Sequence, residues 1–551
     1  MKRIVIIGGV AGGMSAATRA RRLDPEASIV VLERSGYVSY ANCGLPYYVG
    51  GVISEQSDLL LQTPDSLHRR FRLDVRVSTE VIGIDAQAQL VMVRDRLDGT
   101  EYSLPYDYLI LSPGAQPILP TLPGIDRALT LRTIEDVTRI ADAVAGAPRH
   151  AVVIGGGFIG IETAENLIHR GIPTTVVEAA DQVLTPLDPE MAVPVAAELR
   201  RHGIDLRLGV ALAEVNDTGV VLTDGTSIDA DLVIVAIGVR PDVTLAKAAG
   251  VTVGARGGIA VDAIGRTSDA RIYAIGDAAE KADALDGDAV LVPLANIANR
   301  QGRMVADHIM GRPVRHIPTI GTAIVKVFDL VVAVTGWNER RLHAAHMEPV
   351  IIHSHPGSHA GYYPGAESMM LKLCIDPQTQ LILGAQGVGT EGVDKRIDVI
   401  ATAMRCGLTA PGLADLELAY APPFGSAKDP VNMLGYMADN MLSGLTISAQ
   451  WYELQDLLDQ GYGLVDVRTP GEFAAGSISG AVNIPVDEIR ERMTEFADNP
   501  VLVFCQVGQR GHTATTLLRE LGVPAVNLDG GYKTWLNSPA AFSADRALPG
   551  S

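Results

Sequence analysis

Two stretches of the chain share one hydrophobic rhythm: a short β-branched run, a glycine cluster, a helix of small residues and a second apolar run closing on an acid. They occupy residues 4–33 and 151–178, and the pattern predicts two βαβ units with parallel strands. A third apolar run, inside TSDARIYAIGDAA (267–279), predicts a further strand that ends on Gly276-Asp277. Beyond about residue 320 the period changes. TAIVKVFDLVVAVTGW, SMMLKLCID and LILGAQGVG read as alternating strands and 395–406 as a helix, so this part is an α+β domain of another architecture. A last α/β unit begins near Ile447, where GLVDVR and VLVFC predict strands between helical patterns. The link MLSGLTI is short, which keeps that unit close to what precedes it. The opening MKRIVIIGG reads as a strand rather than a secretory leader, and no run of 18 apolar residues predicts a membrane span.

With 551 residues, three or four domains are expected. Lysine plus arginine number 45 against 64 aspartate plus glutamate, a formal net charge of −19, which argues against a nucleic-acid or anionic-membrane binder. A polyanionic ligand must therefore find a local basic patch. Four cysteines cannot form a disulfide framework, a reducing cytoplasm is the natural setting, and each thiol is judged singly.

The first cluster reads Gly8-Gly9-Val10-Ala11-Gly12-Gly13, with Glu33 twenty residues after Gly13 and Arg34 beside it. Val10 replaces the middle glycine of G-x-G-x-x-G. The second, Gly155-Gly156-Gly157-Phe158-Ile159-Gly160, fits that pattern in full and leads to Glu178. Such loops offer a helix N-terminus to a pyrophosphate and an acid to the adenosine ribose. Two of them imply two dinucleotides, a bound flavin and a diffusible nicotinamide that feeds it hydride. In the two-dinucleotide disulfide reductases the flavin domain is interrupted by the nicotinamide domain and resumes with a strand ending in Gly-Asp. IYAIGD resembles that resumption, with Asp277 placed for the ribityl chain. Glu178 should favour NADH by repelling a 2′-phosphate, although a nearby arginine could override this and admit NADPH.

Cys43 lies in SYANCGLPYY, ten residues beyond Glu33, in a polar segment where packing gives no reason for a thiol. Dithiol flavoenzymes have C-x-x-x-x-C here, yet the next cysteine is Cys374. Cys43 then faces the flavin on one side and a substrate sulfur on the other.

With HAGYYPGAES, DKRIDVIATA and YAPPFGSAKDPVNMLGY added, the first 445 or so residues resemble the coenzyme A disulfide reductase branch of the single-cysteine flavoprotein disulfide reductases. The resemblance implies FAD and NADH as cofactors, a homodimer, and a mixed disulfide between Cys43 and the substrate thiol. It implies that Tyr362 and Tyr420 come to that thiol from the partner subunit, with Tyr363 a substitute for the first. It also implies coenzyme A contacts at Ser15, Arg19, Arg22, Ser39, Asn42, Asn299 and Lys428. Phe71 departs from a lysine of relatives, and Arg70 or Arg72 would have to compensate. Arg19 and Arg22, three apart on one helix face, equally suit a solvated basic face.

The last hundred residues resemble a rhodanese domain, through LVDVRTPGEFAAGSISGAVNIP and the loop Cys505-Gln506-Val507-Gly508-Gln509-Arg510. A tight loop after a strand-end cysteine turns backbone N–H groups toward the sulfur and stabilises thiolate and persulfide, with Arg510 a cation at the rim. Asp466 and Arg468 look structural, and Ser477 stands where a histidine is common. Cys374 and Cys406 read as core. His353, His355 and His359 read as a surface loop, and no metal site is expected.

The fold expected is α/β: FAD-binding at 1–115 and 256–325, NAD(P)H-binding at 116–255, an α+β dimerisation domain at 326–445 and an α/β rhodanese domain at 446–551. The activity expected is NADH- and FAD-dependent reduction of coenzyme A-linked disulfide, persulfide or polysulfide sulfur. Three alternatives stand beside it: plain coenzyme A disulfide reduction, sulfur transfer alone, and NADH oxidase or peroxidase chemistry. The last is disfavoured because those relatives carry a histidine where this chain has Ala11.

Overall fold

The computed structural model describes residues 1–496 and 499–541; the end of the expected rhodanese domain, 542–551, lies outside the described residues. The chain divides into two compact units, Met1–Asp181 with Gly203–Thr319, and Gln182–His202 with Ile320–Ser551.

The first unit holds two parallel sheets. One runs in the order Ile272–Ala274, Tyr108–Leu111, Arg3–Ile7, Ser28–Leu32, Asp74–Arg76, and the other Asp205–Leu208, Thr174–Glu178, Ala151–Ile154, Leu232–Val235. Strands such as Ala151–Ile154 and Leu232–Val235 are apolar without interruption because both faces are covered. Ile4 and Ile6 enter one core cluster, and Val5 and Ile7 the cluster on the opposite face. Each βαβ turn needs its last glycine: a Cβ on Gly13 would stand 1.9 Å from the Gly8 carbonyl oxygen, and one on Gly160 1.9 Å from that of Gly155. A close approach of helix Ala295–Ile309 to helix Ala11–Leu23 rests on Gly302, whose Cβ would meet Gly12 O at 2.3 Å.

In the second unit an antiparallel sheet, ordered Ala323–Val327, Leu330–Gly336, Ile382–Gly389, Met369–Ile375, Val350–Ser354, packs on helix Val393–Cys406. A parallel sheet then follows in the order Ser448–Ala449, Ala525–Leu528, Val501–Phe504, Gly463–Asp466, Val482–Asn483. Helix Pro189–Arg201 groups with this unit.

Two readings of single residues are corrected. Cys374 is core, but Cys406 is exposed, because the buried stripe of its helix passes through Ile397, Ile400 and Ala403 and the helix stops at Gly407. The histidines do not form a surface loop. His353 sits buried on strand Val350–Ser354 opposite Lys372, satisfied by carboxylates distant in sequence, and His359 is also buried.

Arg396, from the DKRIDVIATA string, is buried and joins the loops that carry the tyrosine pair. Its guanidinium donates to Ser358 O at 2.8 Å and to Asp429 Oδ2 at 3.0 Å, while Asp429 caps helix Pro430–Leu442. Removing Arg396 leaves the buried Asp429 with the longer Lys395 contact of 3.4 Å as its remaining ion pair, so Arg396→Leu should cost roughly 3 kcal/mol. Denaturant unfolding followed by circular dichroism measures it, and a loss under 1 kcal/mol on the scale of a surface pair would refute this role for the ion pair.

Candidate functional site

In the first unit the two glycine loops are built alike. Each strand-end acid folds back on its loop: Glu33 accepts from Gly9 N–H at 2.8 Å and Ser35 N–H at 2.9 Å, and Glu178 from Gly156 N–H at 2.6 Å and Ala180 N–H at 2.8 Å. Burial pushes the Glu33 carboxyl up, against the pull of these N–H groups. The helices that follow, N-capped by Val10 and Gly157, have neither a side-chain cap nor an acid in the first turn. Their leading N–H groups are thus left for an anion, which fits the pyrophosphate of a dinucleotide at both loops. A Cβ on Gly157 would meet nothing within 4 Å, leaving that side open to a ligand. Among the other residues expected at these loops, Ile159 is exposed, and Arg34 reaches Asp242 only at 3.9 Å.

Cys43 is exposed, in a 3₁₀ turn Asn42–Gly44 that leads straight into the short helix Leu45–Val49. Enough protein surrounds its sulfur that burial pushes the thiol up, and the carboxylates of Glu162 and Asp277 act in the same sense. The chain's own groups therefore oppose a resting thiolate at Cys43. Asp277 lies in the turn Gly276–Ala278 after strand Ile272–Ala274, and burial raises its carboxyl too. Lys281 braces that turn by donating to Gly276 O at 2.6 Å and Ala279 O at 2.9 Å; burial holds its amine down at about 8.

Sequence reasoning missed four residues here. Glu162 is held up at about 7 by burial and accepts a hydrogen bond from Tyr47 O–H at 3.2 Å. An acid two positions after Gly160 on a helix of small residues was the available signal. Arg132 donates to Gln116 Oε1 at 2.7 Å and Pro113 O at 2.9 Å, and burial and Arg34 lower its guanidinium, which suits a site for an anion. Nothing in its sequence neighbourhood marks it; Tyr47 lies within SYANCGLPYY, four after Cys43, and Lys281 follows Gly-Asp by four and was legible only in hindsight of the turn.

Of the residues expected to meet coenzyme A, the Gly302 approach brings Asn299 to Ser15, whose hydroxyl donates to Asn299 Oδ1 at 2.7 Å. The same approach pairs Arg19 with Asp307 at 2.6 Å, so Arg19 is already neutralised, with Arg303 and Arg312 at 3.9 and 3.8 Å from that carboxylate. Arg22 is exposed and lies 5.0 Å over the Phe71 ring, so the residue that departs from a lysine carries an arginine instead. Arg21 holds Phe71 O and Arg72 O, and Arg70 lies in the last turn of helix Pro64–Phe71. Ser39 takes a left-handed backbone, φ 48°, with its N–H donating to Gly9 O at 2.8 Å. Asn42 is exposed beside Cys43.

In the second unit Tyr362 and Tyr420 are exposed and share a hydrogen bond of 2.7 Å between their hydroxyls. Tyr363 instead packs edge-on against His359 at 5.6 Å between ring centroids. Lys428 stands 6.0 Å from the Tyr436 ring. Cys505 follows strand Val501–Phe504 and is fully buried in the core of its domain, with Gly508 left-handed at φ 92° as the N-cap of helix Gln509–Glu520. Arg510 forks onto Glu472 at 2.6 and 2.7 Å, and Glu472 with Cys505 raises its guanidinium. Asp466 and Arg468 are buried partners at 2.6 Å; Arg468 also reaches Gln506 Oε1 at 2.9 Å, and Ser477 keeps a bond to Asp466 at 2.7 Å.

The sequence profile of the pyridine nucleotide-disulphide oxidoreductase family matches residues 2–302, that of the family's dimerisation domain 322–430, and that of the rhodanese-like domain 450–538. The chain belongs to the pyridine nucleotide-disulphide oxidoreductases, a family that implies FAD and NAD(P)H, and it carries a rhodanese-like domain after the dimerisation domain. A coenzyme A disulfide reductase of Staphylococcus haemolyticus (strain JCSC1435) is 34% identical over 443 residues, 80% of this chain and 100% of the relative. Among solved structures, reduced CoADR-RHD of Bacillus anthracis matches with TM-score 0.96 at 46% identity, covering 97% of this chain and 98% of that one. A NAD-dependent persulfide reductase from A. fulgidus matches with TM-score 0.91 at 36% identity, covering 97% and 100%. No helix among the described residues is long and apolar enough to cross a membrane.

Because the Glu162 charge opposes ionisation of Cys43, Glu162→Gln should speed alkylation of Cys43 roughly three- to tenfold at a pH above the Glu162 value. Iodoacetamide labelling read by mass spectrometry checks this, and an unchanged rate would show that the two groups are not coupled.

Proposed function

We propose that this protein reduces coenzyme A-linked disulfide, persulfide or polysulfide sulfur with NADH, through Cys43 as its single redox thiol, and that Cys505 handles sulfane sulfur. The observation that carries this is a lone cysteine flanked by two carboxyl groups, Glu162 and Asp277, in a chain that holds a second cysteine in a braced loop with Arg510 at its side.

The reaction for a persulfide is NADH + H⁺ + CoA–SSH → NAD⁺ + CoA–SH + H₂S. Cys43 thiolate attacks the sulfur bonded to coenzyme A, the S–S bond breaks, HS⁻ leaves, and Cys43 is joined to coenzyme A by a mixed disulfide. The Gly8–Gly13 loop, Glu33, Arg132 and Asp277 would hold FAD, which when bound and reduced by NADH would supply the electron pair that releases both thiols. Glu162, whose carboxyl is held up at about 7, would take the proton from Cys43 and return one to the leaving sulfur. Arg22, with Arg303 and Arg312 around Asp307, offers positive charge to the phosphates of coenzyme A. At the second thiol, Cys505 thiolate takes the outer sulfur of thiosulfate, sulfite leaves, and a Cys505 persulfide remains; coenzyme A thiolate then takes that outer sulfur, Cys505 thiolate leaves, and the coenzyme A persulfide so formed goes to Cys43. Tyr362 and Tyr420, exposed and mutually bonded, would complete the site of the partner in a homodimer, a reading supported by the dimerisation domain and by resemblance.

Cys43→Ser should abolish NADH-dependent disulfide and persulfide reduction with FAD retained, and Cys505→Ser should abolish sulfur transfer from thiosulfate while sparing reduction of free coenzyme A persulfide. Steady-state assays of both variants decide; retained turnover in Cys43→Ser, or loss of simple persulfide reduction in Cys505→Ser, would overturn the division. Glu178 lies beside the second loop, accepting from Gly156 N–H, so kcat/KM should favour NADH over NADPH, and Glu178→Ala should narrow the ratio by roughly 1–2 kcal/mol of discrimination. Equal values for the two cofactors in the unsubstituted enzyme would remove that role from Glu178.

A further inference from the structure

Strand Val350–Ser354 carries a histidine that the chemistry above does not use. Both ring nitrogens of His353 meet carboxylate oxygens, Nδ1 with Asp529 Oδ2 at 2.7 Å and Nε2 with Glu190 Oε1 at 3.0 Å, and its backbone N–H donates to Asp529 Oδ2 at 2.8 Å. A neutral imidazole has one N–H, so one nitrogen would set its lone pair against a carboxylate; the imidazolium satisfies both.

The charges around it agree. Lys372, opposite His353 on the next strand, lies 2.9 Å from Asp188, 2.6 Å from Glu190 and 2.5 Å from Glu339, and so fills the place among these three acids that a metal ion would take. Tyr452 donates to Glu339, and Trp451 Nε1 to Glu190 Oε2 at 3.3 Å. Four carboxylates, Asp188, Glu190, Glu339 and Asp529, thus face one ammonium, and a second cation at His353 relieves the excess. One positive influence opposes it, Lys372 itself; His355, kept neutral by burial and by the nearby charges of His353 and Lys533, adds none. Burial alone would push the His353 ring down, but the bonds to Asp529 and Glu190 hold it up at about 9.

Asp529 opens the turn Asp529-Gly530-Gly531-Tyr532, whose two glycines are left-handed at φ 64° and 61°. On one side a Cβ at Gly530 would stand 2.7 Å from the Cβ of His353; on the other a Cβ at Gly531 would stand 2.4 Å from Cys505 O. Tyr532 N–H donates to Cys505 O at 2.8 Å and Lys533 N–H to Gln506 O at 3.0 Å. The turn is pinched between the histidine strand and the cysteine loop.

We propose that His353, as an imidazolium bridging Glu190 and Asp529, is a positioning residue for sulfur transfer: it fixes the Asp529–Tyr532 turn and through it the backbone of the Cys505 loop. This rests on reading Cys505 as a sulfur-transfer site. The folded value lies above the ordinary 6.5 of histidine, so the bridge is fully present below that pH and is lost as pH rises through about 9. Above it the ring is neutral, one carboxylate contact becomes repulsive and the turn loosens.

The test is thiosulfate:cyanide sulfur transfer by the full-length holoenzyme across pH, for the unsubstituted protein, His353→Gln and Asp529→Asn, with NADH-dependent disulfide reduction followed in parallel. The unsubstituted enzyme should show an alkaline fall in transfer. His353→Gln should lose transfer roughly tenfold at neutral pH, since small misplacements of reacting groups have effects of this size or larger, and should lack the alkaline fall. Asp529→Asn should move that fall toward neutral pH, and both variants should keep disulfide reduction at Cys43. Full transfer with an unaltered profile in His353→Gln would overturn the proposal, as would the absence of any alkaline fall in the unsubstituted enzyme, which decides the matter if the variants lose both activities by misfolding. An unsubstituted enzyme with no sulfur transfer at any pH would instead remove the reading of Cys505, and the proposal with it.

Discussion

A carbonyl oxygen 1.9 Å from where a Cβ would stand, at Gly13 and again at Gly160, sets how each helix leaves its strand in the first unit. Only glycine permits that approach, and once it is made the rest of the site follows from helix geometry. The strand-end acids reach back to the loop N–H groups, and the uncapped first turns face a ligand. Ser15, Arg19 and Arg22 fall along one helix; Glu162 falls on the other, near enough to Cys43 to influence its ionisation. The same logic repeats where Gly302 lets a third helix close on the first and brings Asn299 and Asp307 to Ser15 and Arg19.

The chain's own groups do not favour a resting thiolate at Cys43. Burial and two carboxylates act in one direction, so ionisation of the thiol is tied to the protonation of Glu162, whose carboxyl is raised close to neutrality. The second thiol is governed otherwise. Cys505 is enclosed, its loop is braced by Arg468 through Gln506 and by the Asp529–Tyr532 turn, and Arg510 is shared with Glu472. One site is tuned by charge near an exposed sulfur, the other by the rigidity of a loop around a buried one.

Both βαβ units were legible from the alternation of apolar runs and glycines, because a parallel strand buried on both faces leaves an unbroken apolar signature. So were the antiparallel strands and the helix that ends at Cys406. Cys43 stood out because it interrupts a polar segment where packing gives no reason for a thiol, and Cys505 because a tight glycine-bearing loop follows its strand. What stayed hidden were partners distant in sequence. Arg132 and Lys281 are ordinary cations until the fold buries them, and Arg19 looked free because Asp307 lies 288 residues away. His353 was misjudged for the same reason: its acids come from Glu190 and Asp529, and no period along its own strand records them.

The central claim is that substrate sulfur becomes covalently joined to Cys43. Anaerobic, NADH-reduced enzyme mixed with coenzyme A persulfide, quenched within the first turnover by an alkylating reagent and digested for mass spectrometry, reports on this directly. The account predicts coenzyme A in disulfide linkage to Cys43, rising and decaying as sulfide is released and NADH is consumed in equal amounts. Sulfide released at full rate with Cys43 recovered only as its alkylated thiol would contradict it.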